Sequence, residues 1–159
     1  MGTQFIRSDE LNKELLRIIE EDTDELFIIS PYIDVSVRFS NALIQVSKRK
    51  TKVTIISRWE KKFSKSDKEN FDAFISKGFD LYLVDRLHAK LYFTKAKGIL
   101  SSINFLKGSQ QHSEEVGIVT DEPAMKSEFR RYAEDLIQKS VVRWGVDSNE
   151  AEDILLVPN

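Results

Sequence analysis

Residues 86–104 read RLHAKLYFTKAKGILSSIN, and the interpretation of the chain depends on this stretch. Two short apolar runs flank a Lys-Ala-Lys-Gly turn at residues 95–98, a pattern that predicts a β-hairpin. Because successive side chains of a strand point to opposite faces, His88, Lys90 and Tyr92 are expected to share one face of the first strand. That face therefore carries an imidazole and an ammonium group side by side.

The second strand of the predicted hairpin ends in two further polar residues, Ser102 and Asn104. Together with His88 and Lys90 they supply a nitrogen nucleophile, a cation and small hydrogen-bonding groups. Groups of these types could hold a phosphate. We therefore interpret the hairpin as the candidate functional element of the chain.

Composition limits the classes of protein that fit. The chain has 159 residues, enough for one domain with a real core, and its net charge of -2 argues against a general nucleic-acid coat. The absence of cysteine excludes disulfides, zinc–thiolate sites and cysteine nucleophiles. With two histidines, neither a His-rich metal site nor another cofactor is expected. No apolar run has the length of a membrane span, and we predict a cytoplasmic protein without a membrane partner.

Three apolar runs, residues 26–29, 53–56 and 79–84, predict strands in the first half of the chain. The stretches between them show helical periodicity, and strand–helix–strand alternation predicts parallel pairing. The central hairpin adds antiparallel strands, and residues 116–119 predict a further strand. We therefore predict an α/β fold with a mixed, largely parallel β-sheet and helices on both faces.

Capping residues indicate where the helices begin. Ser8 and Asp34 each precede an apolar stripe and are predicted N-caps. Ser66-Asp67-Lys68-Glu69 has the spacing of a capping box, and Pro123 suits the first turn of a last helix. Residues 60–65 are interpreted as a polar, Lys-rich loop.

The sequence HAK followed by SSIN resembles the signature of the phospholipase D superfamily, H-x-K-x4-D-x6-G-[GS]-x-N. The matching residues are His88, Lys90, Ser102 and Asn104. Ser101 stands where the family usually has glycine, the Asp position of the signature falls on Lys95, and the hairpin is one residue shorter than the family spacing. Glu115, in EEVG, resembles the acidic residue that follows the second strand of the family.

This resemblance implies a phospholipase D-like domain over residues 1–145 and a C-terminal tail at residues 146–159. The tail could be an extra strand, a docking segment or a vector-derived end. The resemblance also implies phosphodiester hydrolysis without a metal ion. One histidine attacks phosphorus and forms a phosphohistidine, a second histidine from another copy of the motif protonates the leaving group, and water hydrolyses the intermediate.

The implied catalytic residues are His88, Lys90, Ser102, Asn104 and Glu115. In this scheme Glu115 orients the His88 ring by accepting a hydrogen bond from its second nitrogen. Because the chain has one H-x-K motif and the mechanism uses two, we predict a C2 homodimer with the active site across its interface. His112, in a polar stretch, is interpreted as an ordinary surface residue.

Nucleic acid, either DNA or RNA, is the expected substrate, because members of the family with one motif are often nucleases. Ser30, Tyr32 and Arg58 follow predicted parallel strands, whose carboxyl ends gather ligand sites, and they are candidate substrate-binding residues. Arg58 could bind phosphate in a bidentate manner. Two alternatives stay open: a degenerate, non-catalytic module that binds nucleic acid or a protein partner, and a domain of a larger restriction-type enzyme.

Overall fold

The computed structural model describes residues 2–34, 37–106, 114–147 and 155–157. The helices are α1 (Ser8–Glu20), α2 (Val37–Lys48), α3 (Lys65–Ser76) and α4 (Pro123–Gln138). The strands are β1 (Thr3–Arg7), β2 (Glu25–Ile29), β3 (Ile33–Asp34), β4 (Lys52–Arg58), β5 (Lys62–Ser64), β6 (Asp80–Val84), β7 (Leu91–Thr94), β8 (Gly98–Ser101), β9 (Phe105–Leu106), β10 (Val116–Thr120), β11 (Val142–Arg143) and β12 (Leu155–Val157).

Eight strands form one sheet in the order β1-β10-β8-β7-β2-β4-β6-β11. The predicted α/β fold with a mixed sheet is confirmed, as is the hairpin β7–β8. The expectation of a largely parallel sheet needs one correction. Parallel pairing is confined to the central strands β2, β4 and β6, and the other neighbouring pairs are antiparallel. The antiparallel strands are those of the hairpin together with β1, β10 and β11.

Helices cover both faces of this sheet, as predicted. One core cluster joins side chains of α1, α2 and α3 to the sheet, and a second joins α4 to the opposite face. Strand β2 contributes to both clusters, with Ile28 in the first and Phe27 and Ile29 in the second. Burial on both faces explains why its sequence is continuously apolar. Among the described residues, no helix combines the length and the apolarity that crossing a bilayer requires.

Two of the predicted helix caps differ from the structure. Ser8 is the first residue of α1 and not its cap, because Arg7 has the extended backbone of the N-cap. The Ser8 backbone N–H donates to the Glu115 carbonyl at 2.9 Å. The capping box of α3 is formed by Ser64 and Asp67, two residues before the predicted one. Pro123 opens α4 as predicted, whereas the predicted cap at Asp34 adjoins residues 35–36, outside the described part of the chain.

Short strands occur where the sequence indicated a loop or left the structure open. Strand β5 lies within the predicted loop at residues 60–65 and pairs in parallel with β12, so the tail contributes an extra strand. Strand β11 pairs antiparallel with β6. Strands β3 and β9 form a separate parallel pair beside the main sheet. The domain boundary at residue 145 stays a prediction.

Candidate active site

The predicted catalytic residues gather at one edge of the main sheet. Ile29, the last residue of β2, pairs with Leu91, which pairs in turn with Leu100. Gly117 pairs with Ser101 in the neighbouring strand. The start of β7, the end of β8 and the start of β10 therefore lie beside the carboxyl end of β2. The five residues in question directly precede or follow these strand ends: His88, Lys90, Ser102, Asn104 and Glu115. We call this edge the carboxyl edge.

His88 and Lys90 lie just before β7, because the strand begins at Leu91 and not at His88 as the sequence suggested. The hairpin pairing still reaches Lys90, whose carbonyl accepts a hydrogen bond from Ser101 N at 3.1 Å. The Lys90 ammonium group lies 3.3 Å from His88 Nδ1 and donates to the His88 carbonyl at 3.0 Å. The His88 side chain is exposed.

The contact between Lys90 and His88 is compatible with one neutral tautomer of the imidazole ring. An ammonium group can only donate, so a hydrogen bond between the two requires Nδ1 of His88 to accept. In the neutral ring the proton then resides on Nε2. The arrangement thus brings a cation and a ring nitrogen together at an exposed position.

Glu115 is bonded to Ser102 and not to His88. The Ser102 hydroxyl donates to Glu115 Oε2 and accepts from Val116 N at 3.1 Å. Within the described residues, no hydrogen bond joins Glu115 to His88. The pairing of β8 with β10 explains this result, because it places Ser102 directly beside the residues that open β10.

Asn104 lies half-buried in the segment that follows β8. Its Oδ1 atom is enclosed and has no hydrogen-bond partner among the described residues. Such an atom is rare in a folded protein and marks a position where a ligand or a rearranged amide would be favoured.

Two buried residues hold the segment that carries Asn104. The Tyr92 hydroxyl donates to the Ile103 carbonyl at 2.8 Å, and Ser30 Oγ accepts from Phe105 N at 2.9 Å. The two bonds fix the backbone on either side of Asn104. Side-chain alternation predicts that Tyr92 shares the face of His88 and Lys90, but its role as an anchor has no other signal in the sequence than its position two residues after Lys90.

Ser30, a predicted substrate-binding residue, lies beneath the segment that carries Asn104 and bonds to backbone groups. Its side chain is fully buried, and its hydroxyl also donates to the Tyr32 carbonyl at 2.8 Å. Burial raises the pKa of Tyr92 above the usual tyrosine range; a hydrogen bond with Ser30 lowers it, and the charge of Glu115 raises it further. The phenol is therefore a neutral donor under ordinary conditions.

Tyr32 and Arg58 line a cleft of about 330 Å³ at the carboxyl ends of β2 and β4. Arg58 Nε lies 3.1 Å from Glu60 Oε1, and the Tyr32 side chain is exposed. The remaining lining residues are Pro31, Ile33, Ser57, Glu60, Phe63, Asp67 and Phe71. We call this feature the β4 cleft. In the described ranges, no three His, Asp or Glu side chains are grouped as metal ligands. His112 lies outside the described residues.

Comparison with solved structures identifies the same fold elsewhere. Nuc from Salmonella typhimurium, a phospholipase D family member, is 17% identical, with a TM-score of 0.76, over 90% of this chain and 97% of that one. NucT from Helicobacter pylori is 17% identical, with a TM-score of 0.68, over 87% and 97%. Phosphatidylserine synthase from Haemophilus influenzae Rd KW20 is 13% identical, with a TM-score of 0.75, over 92% of this chain and 41% of that one.

Sequence comparison gives the family directly. No curated protein sequence matches the chain. The profile of the family described as "Cardiolipin synthase, PLD-like domain" matches residues 15–137, which include the hairpin and the start of β10. This match covers well over half of the chain and confirms the resemblance seen in the HAK and SSIN motifs. The chain belongs to the phospholipase D superfamily, in the family of cardiolipin synthase PLD-like domains.

Proposed function

We propose that the protein is a metal-independent phosphodiesterase that hydrolyses DNA or RNA through a phosphohistidine intermediate. The observation that carries the proposal is the exposed His88 with the Lys90 ammonium group 3.3 Å from its ring, at the carboxyl edge of a phospholipase D-like sheet. A nucleophile and a cation at one exposed position suit attack on an anionic phosphodiester.

His88 attacks phosphorus through Nε2, which must first be free of its proton. The Lys90 ammonium group moves from Nδ1 to a phosphate oxygen, so that Nδ1 can carry the ring proton instead. The N–P bond forms as the bond from phosphorus to the leaving oxygen breaks, and that oxygen takes a proton from a general acid. Water then attacks phosphorus, gives a proton to the conjugate base of the general acid and displaces the imidazole as the N–P bond breaks, which restores the enzyme.

Lys90 and the Asn104 amide stabilise the charge that develops on the phosphate oxygens. Ser102 can join them only after its hydroxyl leaves Glu115. The same exchange frees Glu115 to accept a hydrogen bond from His88 Nδ1, the role predicted from the family resemblance. We propose that phosphate binding causes both exchanges together.

The general acid in this scheme is His88 of a second copy. The sequence contains two histidines, and His88 is the one within an H-x-K motif. A C2 homodimer would bring the two exposed His88 rings together across one phosphate. A strictly monomeric protein in sedimentation at micromolar concentration would count against this part of the proposal.

The position of Lys95 favours catalysis over the degenerate alternative. Lys95 occupies the Asp position of the family signature, yet it lies at the tip of the hairpin, beyond the other end of β7 from His88. There it forms an ion pair with Asp24 at 3.4 Å. The departure from the signature is therefore remote from the groups proposed to touch phosphate.

Hydrolysis of bis(p-nitrophenyl) phosphate and of DNA in excess EDTA tests the proposal. Wild type should be active, and His88→Ala should lower the rate by about 10³-fold or more, since the nucleophile is lost. The matched control is His112→Ala, which removes the other histidine. Activity that EDTA abolishes, or that survives His88→Ala, would refute the mechanism. DNA binding without hydrolysis in wild type would favour the non-catalytic module.

A further inference from the structure

The β4 cleft lies beside the proposed catalytic residues. Strand β2 separates β7 from β4, so the end of β4 is two strand spacings, roughly 10 Å, from the start of β7. Ile29 is the last residue of β2, and it pairs with Ile56 on one side and with Leu91 on the other. Arg58 and His88 therefore both lie past the carboxyl end of β2. A group attached to a phosphate held at His88 can therefore reach the cleft.

Aromatic side chains form much of the cleft wall. Tyr32 lines the cleft and is 46% exposed, whereas Phe63 and Phe71 are buried and pack edge to face with ring centroids 5.2 Å apart. The cavity of about 330 Å³ is within the size range of small-molecule sites. An exposed tyrosine together with buried aromatic side chains in the lining suits a flat, partly polar ring that stacks.

Donors and acceptors lie together on the polar side of the cleft. Arg58 Nε is enclosed and forms its ion pair with Glu60 without an aligned hydrogen bond to any described residue. Asp67 is committed to the cap of α3, where its Oδ2 accepts from Ser64 N at 3.1 Å. Glu60 is therefore the carboxylate available to a ligand, and it lies directly beside the Arg58 guanidinium group.

We propose that the β4 cleft binds the base next to the scissile phosphate and prefers guanine. This inference rests on the proposed function. Guanine presents its N7 and O6 acceptors to a guanidinium group, and its neighbouring N1–H and 2-amino donors to a carboxylate. Adenine offers one acceptor and one donor there, so it satisfies fewer of the groups of Arg58 and Glu60.

The proposal also selects a class of substrate. A base enters such a cleft only when it is unstacked, so single-stranded nucleic acid or a frayed end is favoured over an intact duplex.

Chromogenic nucleoside 5′-(p-nitrophenyl) phosphates test the inference, because their base is in a defined position. We expect kcat/KM for the guanosine ester to exceed that for the inosine and adenosine esters by about tenfold or more, since inosine lacks the 2-amino group. Glu60→Gln should reduce this preference, and Tyr32→Ala should lower the rate of every nucleoside ester relative to bis(p-nitrophenyl) phosphate. Glu69→Gln and Tyr132→Ala are matched controls on exposed helix positions and should change neither ratio.

Equilibrium binding of GMP, IMP and AMP to the full-length chain separates this inference from the proposed function. If the protein hydrolyses no phosphodiester, a GMP preference that Glu60→Gln removes still supports a guanine site. Equal binding of the three nucleotides, or a preference that survives both variants, would overturn it. Binding to phosphocholine vesicles that Tyr32→Ala abolishes, without nucleotide binding, would assign the cleft to a lipid headgroup and overturn it too.

Discussion

The two ends of the β7–β8 hairpin differ in how their lysine side chains are paired. At the tip of the hairpin, opposite the carboxyl edge, Lys97 pairs with Glu14 at 3.2 Å, and Lys95 pairs with Asp24 at 3.4 Å. At the carboxyl edge, the Lys90 ammonium group faces an imidazole and a carbonyl oxygen, and the Asn104 Oδ1 atom has no hydrogen-bond partner among the described residues. Paired charges stabilise the fold, whereas the described residues of the carboxyl edge give the Lys90 ammonium group no carboxylate partner, as the proposed phosphate contact requires.

Replacing one lysine at each end of the hairpin should give the largest contrast. Lys90→Ala should lower kcat on bis(p-nitrophenyl) phosphate by about 10² to 10³-fold, because it removes a cation from the developing charge. Lys95→Ala, at the exposed hairpin tip, should leave kcat unchanged. An equal loss of kcat in both variants would show that Lys90 contributes no more to catalysis than Lys95 does.

Breaking the pair between Lys97 and Glu14 should affect stability and not activity. Both side chains are mostly buried, with 20% and 16% exposed. Glu14→Gln leaves the Lys97 ammonium group without this partner, breaks the ion pair between Glu14 and Arg17 as well, and should lower the free energy of unfolding by about 2 kcal/mol. For a chain of this size that corresponds to a fall in Tm of about 4–8 °C. A double-mutant cycle with Lys97→Met measures the coupling, and no coupling would show that the pair is solvated.

Tyr92→Phe should give the smallest effect, a loss of about 1 kcal/mol in urea unfolding. It removes the hydrogen bond to the Ile103 carbonyl and leaves that carbonyl buried. Tyr132→Phe is the control, since Tyr132 is 39% exposed on α4. If Tyr92→Phe lowers the free energy of unfolding no more than Tyr132→Phe does, the Tyr92 hydrogen bond does not hold the segment that carries Asn104.

Tyr92→Phe should also change how the free energy of unfolding depends on pH. Burial raises the pKa of Tyr92, so the folded state keeps the phenolic proton at pH values where the unfolded chain has lost it. Above a pH of about 10 the unfolded state binds fewer protons, and the free energy of unfolding falls as pH rises. Below that pH the contribution is fully present. Unfolding titrations from pH 8 to 11 should show a shallower decline in Tyr92→Phe than in wild type.

Local patterns in the sequence were sufficient for the hairpin and for the parallel strands. The apolar runs and the Lys-Ala-Lys-Gly turn depend only on neighbouring residues, and the structure confirms them. Strand β1 was missed because it is an edge strand whose residues, Phe5 among them, are largely exposed. The capping box was placed two residues late because Ser64 and Asp67 offer the same spacing as Ser66 and Glu69.

The partners of the candidate catalytic residues could not be read from local patterns. The bond between Ser102 and Glu115 depends on the pairing of β8 with β10, and the anchor at Tyr92 depends on the fold of the segment after β8. Motif spacing identified which residues approach the carboxyl edge. It contained no information on which of them bond to each other.

The pairing of β1 with β10 has a consequence for protein synthesis. Thr3 pairs with Thr120, so more than a hundred residues must be synthesised after β1 before the strand that pairs with it is present. Long-range pairing of this kind is slow to form. Glu115, which bonds to Ser102 and to the Ser8 backbone, is added to the growing chain just before β10. A nascent chain on the ribosome therefore carries His88 and Lys90 well before the carboxyl edge is complete, and a partly made chain is expected to be inert.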